Sequence, residues 1–249
     1  MLLITRPIAQ TKNLESLLLA NEIDYAFFPT LEIKKHRPIV LNHKYDVIIF
    51  ISVNAVNYAE EYFDQLFITP LKIFAVGPVT AKQLISKDIK VDCYPKKNAS
   101  SWELLKMKEC QALSNKKILI VRGKGGSETL KNNLSISNQV DYFEVYKRVQ
   151  CELTLQHNES LEMFMNYSDG FLMATSEESL VNVMRLVESI SSDFIQTLLA
   201  KKIIVFSERI RVLAKDFGFT NIEITLNPSD EDLVNLLVDK KKKKCTNTN

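Results

Sequence analysis

The chain has 249 residues, enough for one large or two small domains. With 46% hydrophobic and 25% charged residues it has the composition of a globular protein, which excludes a chain too polar to fold. The net charge of +2 includes five consecutive lysines, Lys240–Lys244; taking those five from +2 leaves −3, so the body has no basic excess for nucleic acid.

In chain order, short apolar runs alternate with turns and helix-period segments. Leu2–Thr5 runs into Arg6-Pro7, and Leu14, Leu17 and Leu18 then mark a helix face. Tyr25–Phe28 reads as the next strand, and Leu31–Pro38 as a charged, extended crossover. Val47–Ile51 meets Ser52, followed by Val56, Ala59 and Phe63 at helical spacing. Ile73–Val76 meets Gly77-Pro78 and then Val79–Ile85. Ile118–Val121 enters a turn with Gly123, Gly125 and Gly126; Leu130 and Leu134 mark a helix, and Val140–Val145 is a strand ending beside Tyr146. Lys147–Thr154 is a second extended crossover. Phe171–Ala174 with Thr175-Ser176, Ile203–Phe206 with Ser207, and Ile222–Thr225 each precede a helix, the last around Leu233, Leu236 and Leu237. Alternating strands and helices predict parallel sheets covered on both faces.

The order repeats. Ile4-Thr5-Arg6-Pro7 corresponds to Ile120-Val121-Arg122-Gly123, Asp24-Tyr25 to Asp141-Tyr142, Phe50-Ile51-Ser52 to Ala174-Thr175-Ser176, and Val76-Gly77 to Phe206-Ser207. Two similar α/β domains joined by a two-stranded connection are implied.

Ligands of parallel α/β sheets bind outside the carboxyl ends of the strands, where helix N-termini favour anions. The turns expected there carry Arg6, Ser52, Asn54, Gly77, Thr80, Arg122, Thr175 and Ser176. Ser52, Thr175, Ser176 and Ser207 are each suited to cap a helix, and Pro78 to a first helical position. Alone, each cap reads as structural; their shared location is the informative part. Gly123, Gly125 and Gly126 bring backbone close either to a ligand or only to its own turn and helix cap. A dinucleotide fingerprint fails because Glu128 stands where its last glycine is needed. A P-loop fails because Gly125 follows Gly123-Lys124. Asp230-Glu231-Asp232 opens the last helix and complements its dipole.

The three histidines, His36, His43 and His157, fall in polar surroundings and are expected to face solvent, so no Ser-His-Asp or Cys-His arrangement can be placed. Cys93, Cys110, Cys151 and Cys245 form no CxxC pair, which argues against a zinc site and for free thiols in a reducing cytoplasm. Arg6 interrupts the first apolar run, so no signal peptide is read, and no run approaches the roughly 20 residues of a membrane span. Tyr146, at the end of a strand crossing between domains, is expected to face a cleft. Its phenol holds a proton at neutral pH and is able to donate it, although a tyrosine packing the crossover reads as well.

Six segments in this order resemble the uroporphyrinogen-III synthase family: Ile4–Pro7, Ser52–Val56, Ala75–Ala81, Leu119–Gly126, Glu144–Arg148 and Ala174–Leu180. The likeness spans nearly the whole chain. It implies two flavodoxin-like parallel-sheet α/β domains, joined by a two-stranded β-ladder, with interleaved chain pieces. Residues 1–32 with 153–239 would form one domain and 33–152 the other, and 240–249 would be a disordered lysine-rich tail. The implied reaction cyclises hydroxymethylbilane, a linear polycarboxylate, to uroporphyrinogen III, with loss of water and inversion of the terminal pyrrole ring. It implies no cofactor and no metal. It implies a cytoplasmic enzyme, read here as a monomer with at most transient contact with the preceding pathway enzyme, and with no nucleic acid or membrane partner.

Residue by residue, Tyr146 matches the family tyrosine proposed to assist hydroxyl loss, and Thr80 and Ser52 match cleft hydroxyls. Arg6, Asn54, Gly77, Arg122, Gly123, Gly125, Gly126, Thr175 and Ser176 complete the expected substrate contacts. Two positions depart. Ile51 stands where the family commonly has threonine, and Ser207-Glu208-Arg209-Ile210 replaces a Gly-Pro-x-Thr turn. Ile210 therefore lacks a hydroxyl, and Arg209 either compensates electrostatically or faces solvent. The competing reading is a non-catalytic two-domain α/β ligand-binding module; a nucleotide-dependent transferase is weakened by the two failed glycine motifs.

Overall fold

The computed structural model describes residues 1–38, 44–68 and 71–247, so His43 lies outside the described residues. Among the described residues ten strands form: β1 (Leu2–Ile4), β2 (Tyr25–Phe27), β3 (Leu31–Lys35), β4 (Val47–Phe50), β5 (Lys72–Ala75), β6 (Lys117–Gly123), β7 (Gln139–Gln150), β8 (Phe171–Ala174), β9 (Lys202–Val205) and β10 (Asn221–Ile224). The helices are α1 (Lys12–Ala20), α2 (Val53–Ala59), α3 (Phe63–Leu66), α4 (Pro78–Ile85), α5 (Ser101–Leu105), α6 (Lys108–Gln111), α7 (Thr129–Leu134), α8 (Leu155–Asn166), α9 (Glu177–Ile190), α10 (Asp193–Ala200), α11 (Glu208–Phe217) and α12 (Asp230–Asn247).

The chain divides into two compact units, residues 1–32 with 149–249 and residues 33–148. The first holds a parallel sheet in the order β10-β9-β8-β1-β2. Counted along this unit's own strands that is the flavodoxin order, with the reversal between β1 and β8. The second holds the order β3-β7-β6-β4-β5, in which β7, β6, β4 and β5 are parallel and the reversal falls between β4 and β6. Its fifth position is taken by β3. The His36 N–H donates to Val145 O and the Cys151 N–H to Thr30 O, so the two crossings run antiparallel as a ladder.

Period-two alternation builds both cores. In β1, Leu3 packs on one face with Leu172 and Ile203, while Leu2 and Ile4 pack on the other with Leu14, Leu18 and Leu233. In the second unit, Ile48, Phe50, Leu119 and Val121 share one face, and Val47, Ile49, Ile118 and Ile120 share the other. These runs are apolar on both sides, as strands covered twice by helices must be.

The structure revises four sequence expectations. The helix expected through Phe63 is broken into α2, a short 3-10 turn at Glu60–Tyr62, and α3. The strand before Tyr146 and the crossover after it are one strand of 12 residues, so Tyr146 lies inside β7 rather than at its end. His157 is buried, not solvent-facing, at 4% exposure. Its imidazole closes a capping box with Thr154 and lies 2.9 Å from Pro29 O through Nε2, so its polar atoms are spent locally. Finally, the lysine run does not end the helix at Asp239; α12 continues to Asn247. Lysine is a good helix former, its charge suits a helix C-terminus, and Lys240 pairs with Glu223.

Candidate functional site

Each unit presents its polar turns at the carboxyl edge of its sheet, and the richest lie at the two strand-order reversals. In the first unit these are the turns after β1 and β8, which carry Arg6, Thr175 and Ser176. In the second they are the turns after β4 and β6, which carry Ser52, Asn54 and Arg122 to Gly126. An open α/β sheet parts its loops at such a point, leaving room for a ligand.

In the second unit, Ser52 caps α2 by accepting the Ala55 N–H at 3.1 Å. The same oxygen lies 3.2 Å from the Tyr146 hydroxyl. Tyr146 is 5% exposed, and its ring packs on Tyr58 with centroids 5.7 Å apart. Tyr58 is fixed in turn by donating its hydroxyl to Ile33 O at 2.8 Å. Ser52 already accepts from Ala55, which leaves its own proton free for the tyrosine oxygen. In that arrangement the phenolic proton stays available to a ligand.

The helix following β5 is different. Gly77 occupies the N-cap of α4 and has no side chain with which to cap it, and Pro78 at the first position has no N–H. The N–H groups of Val79 and Thr80 thus remain for an outside acceptor. The Thr80 hydroxyl has no hydrogen-bond partner among the described residues, although the residue is only 6% exposed. The first turns of α2, α4 and α7 contain no acidic residue. In the first unit the starts of the helices that follow β8, β9 and β10 are already satisfied. Ser176 caps α9 and Ser207 caps α11, and acidic residues fill the first turns: Glu177 and Glu178, Glu208, and Asp230 to Asp232. Thr175, also expected as a cap, is not one. Anion affinity therefore concentrates on α4.

The two arginines have partners the sequence did not reveal. Arg6 pairs with Asp230 at 2.6 Å, the two side chains being 14% and 12% exposed, and lies against the Phe206 ring. Asp230 was readable only as a complement to the helix dipole; its bond to Arg6 spans 224 positions. Arg122 is 2% exposed and turned into its own loop. It donates to Gly123 O at 3.0 Å, to Gly125 O, and to Glu128 at 3.1 Å, and stacks 4.3 Å above the Tyr142 ring. This contradicts the expectation that Arg122 holds substrate directly. Its donors build the turn, while Gly125 and Gly126 supply the positive φ values of 75° and 98° that the turn requires. The Glu128 carboxyl is held below its usual range by the Tyr142 hydrogen bond and by Arg122.

Ile210 is buried in the core and Arg209 is largely exposed beside Glu177, so neither supplies the missing hydroxyl. A buried cluster escaped sequence reading. Thr5 donates to Met173 O and lies 2.9 Å from Ser179, which also meets Thr30, beneath the reversal point of the first unit. Their polarity was visible, but their convergence depends on three distant segments. Among the described residues no group of three or more His, Cys, Asp or Glu side chains is placed to hold a metal ion, and no helix is long and apolar enough to cross a membrane.

Fold and site together define a class: a pair of doubly wound parallel-sheet units that offer backbone donors, hydroxyls and a buried phenol at their carboxyl edges. The family model described as uroporphyrinogen-III synthase HemD matches residues 12–235. The chain belongs to the uroporphyrinogen-III synthase family. The uroporphyrinogen-III synthase of Escherichia coli K12 is 26% identical over 196 residues, covering 77% of this chain and 78% of that protein. That of Proteus mirabilis is 30% identical over 162 residues, covering 59% and 80%. In structure, the chain is similar to uroporphyrinogen-III synthetase from Helicobacter pylori 26695, with a TM-score of 0.61 at 17% identity over 86% of this chain and 92% of that one. A mutant uroporphyrinogen III synthase from Thermus thermophilus gives 0.54 at 12% identity over 97% and 99%. The two structures bear on the fold alone.

Proposed function

We propose that this chain catalyses its family's reaction, the cyclisation of hydroxymethylbilane to uroporphyrinogen III with net loss of water. The supporting observation is the Ser52–Tyr146 hydroxyl pair, set on the same sheet edge as the uncapped N-terminus of α4. Tyr146 donates to the departing hydroxyl of the substrate while Ser52 donates to the tyrosine oxygen. Departure leaves a delocalised cation on the pyrrole chain. The substituted carbon of the terminal pyrrole attacks it to form a spiro intermediate. The bond from that carbon to its original methylene then breaks, and the ring's unsubstituted carbon bonds to the released methylene to close the macrocycle with the ring inverted. The proton shed by that carbon balances the one given up by Tyr146.

Substrate carboxylates dock on the Val79 and Thr80 N–H groups, the Thr80 hydroxyl, the Asn54 side chain and the N–H groups of the glycine turn. In the first unit, taken by itself, the donors offered at the carboxyl edge are Arg6, with only one guanidinium nitrogen engaged among the described residues, and Thr175 and Ser176. The body of the chain is net negative, so these local donors must outweigh a repulsive background. Holding a flexible chain in the attacking geometry contributes up to roughly 7–11 kcal/mol, more than the roughly 10²–10⁴ in rate from a general acid. No single side chain should then be indispensable.

The same reading makes the protein a cytoplasmic monomer that takes its unstable substrate through transient contact with the preceding enzyme. The free thiols of Cys93 and Cys110 support a reducing compartment. Feeding the protein enzymatically generated hydroxymethylbilane tests the reading. Type III product supports it; tight binding without turnover would favour a ligand-binding module instead.

A further inference from the structure

We infer that Gly123 and the β-bulge opposite it are positioning elements for Tyr146, with Arg122 as their lock. The inference rests on the proposed role of Tyr146.

Strands β6 and β7 pair in regular parallel register as far as Arg122 and Glu144, and the next pair is Gly123 with Tyr146. Val145 is therefore passed over, the mark of a bulge. The bulge changes which face Tyr146 occupies. Val140 and Tyr142 pack on one face of the sheet, and Phe143 and Val145 on the other. Strict alternation would put Tyr146 with Tyr142, yet it packs with Val145, on the face that carries Tyr58 and, at its edge, Ser52. One extra residue re-aims the phenol.

The re-aimed ring needs room that only glycine leaves. A Cβ at position 123 would stand 2.4 Å from Cε2 and 2.6 Å from Cζ of Tyr146. Gly123 is not among the positive-φ glycines, so space rather than backbone angle excludes a side chain here. The Lys124 N–H donates to Tyr146 O at 2.7 Å, tying the bulge to the turn. Arg122 then holds the turn through Gly123 O, Gly125 O and Glu128. An apparent anion-binding arginine thus acts through the tyrosine.

The test is a double-mutant cycle. Gly123→Ala is made in the native chain and in Tyr146→Phe, and kcat, KM and Tm are measured for each with enzymatically generated hydroxymethylbilane. In the native chain Gly123→Ala should lower kcat about 10-fold or more, as a displacement near 1 Å does at a positioned group. In the Tyr146→Phe chain the same substitution should leave kcat unchanged, while Tm falls equally in both backgrounds. Equal kcat losses in the two backgrounds, or a rise in KM alone, would overturn the inference. If Gly123→Ala does not fold, Arg122→Lys replaces it in the same cycle with the same expected pattern. An independent readout is the NMR signal of the ring-labelled Tyr146, assigned by its loss in Tyr146→Phe. It should move in either variant, and a stationary signal would also overturn the inference. A native chain that yields only type I product would instead defeat the proposed function, leaving the ring signal as the test of geometry.

Discussion

Ser52 Oγ and Tyr146 Oη lie 3.2 Å apart, and the serine oxygen simultaneously accepts the Ala55 N–H. One hydroxyl thereby starts a helix and orients a phenol. Replacing the phenol leaves the helix cap intact, so Tyr146→Phe should cost only about 1 kcal/mol in stability, the usual net worth of one hydrogen bond. It should slow single turnover by about 10²-fold without abolishing it, because a general acid is one contribution among several. Unchanged single-turnover kinetics would remove Tyr146 from the mechanism.

Ser52→Ala removes both functions together. The lost cap should destabilise the protein by about 1 kcal/mol, and the unsupported phenol should lower kcat. Ser52→Thr keeps an oxygen at the cap and should restore most of both. Chemical denaturation alongside kinetics checks this; a threonine variant as slow as the alanine one would mean that the oxygen is not what matters.

Fold and site differed in how far they could be read. The strands were legible because Val47–Phe50, Phe171–Ala174 and Ile203–Val205 are short apolar runs followed within two residues by the serine caps Ser52, Ser176 and Ser207. The internal repeat implied two similar α/β domains, while the strand order had to come from the structure. Helices α5, α6, α8 and α10 were missed: α5 and α6 span only five and four residues, α8 buries His157 and Ser160 beside Leu161 and Phe164 and so shows a weak apolar stripe, and α10 follows a serine pair inside a longer polar-apolar stretch. Ser52 and Thr80 were legible as hydroxyls in the turns that follow strands, and Tyr146 as a phenol at the crossover, although it lies inside β7 rather than at a strand end. The direction of Arg122 was not, because whether a guanidinium turns outward or into its own loop depends on carbonyls that Gly123 and Gly125 expose. The one-residue bulge that aims Tyr146 leaves no trace in composition or spacing.

Position 79 offers a substitution with opposed effects. Val79 is 68% exposed in the first turn of α4. Val79→Asp should stabilise the helix by about 0.3–1 kcal/mol through its dipole. It should also raise KM about 10-fold by facing the incoming carboxylates with like charge. A parallel Thr80→Val variant should raise KM with little change in Tm, because the hydroxyl has no partner to lose. Stability and KM measured on both variants decide whether α4 receives an anion; a Val79→Asp chain with unchanged KM would exclude it.

Alkaline pH should destabilise the protein in a defined window. Burial pushes the Cys93 thiol up to about 12 and the Cys110 thiol up to about 11, from an ordinary 9.0. Burial first, and then the bond to Glu128, pushes Tyr142 up to about 12 from 10.0. Below pH 9.0 both folded and unfolded chains keep these protons, so stability is complete. Above it the unfolded chain releases protons that the folded chain retains, so stability falls as pH rises toward 12. Denaturation midpoints between pH 8 and 12 should decline accordingly, and a flat profile would contradict the burial of these groups. At pH 8, native Cys93 and Cys110 should resist an alkylating agent that labels them once the chain is unfolded.

The most direct test of the central claim is the isomer ratio of the product formed from enzymatically generated hydroxymethylbilane. A protein that closes the chain with its terminal ring inverted gives uroporphyrinogen III, and at catalytic concentration that isomer should dominate. Formation of the uncatalysed type I isomer alone, even at high protein concentration, would contradict it.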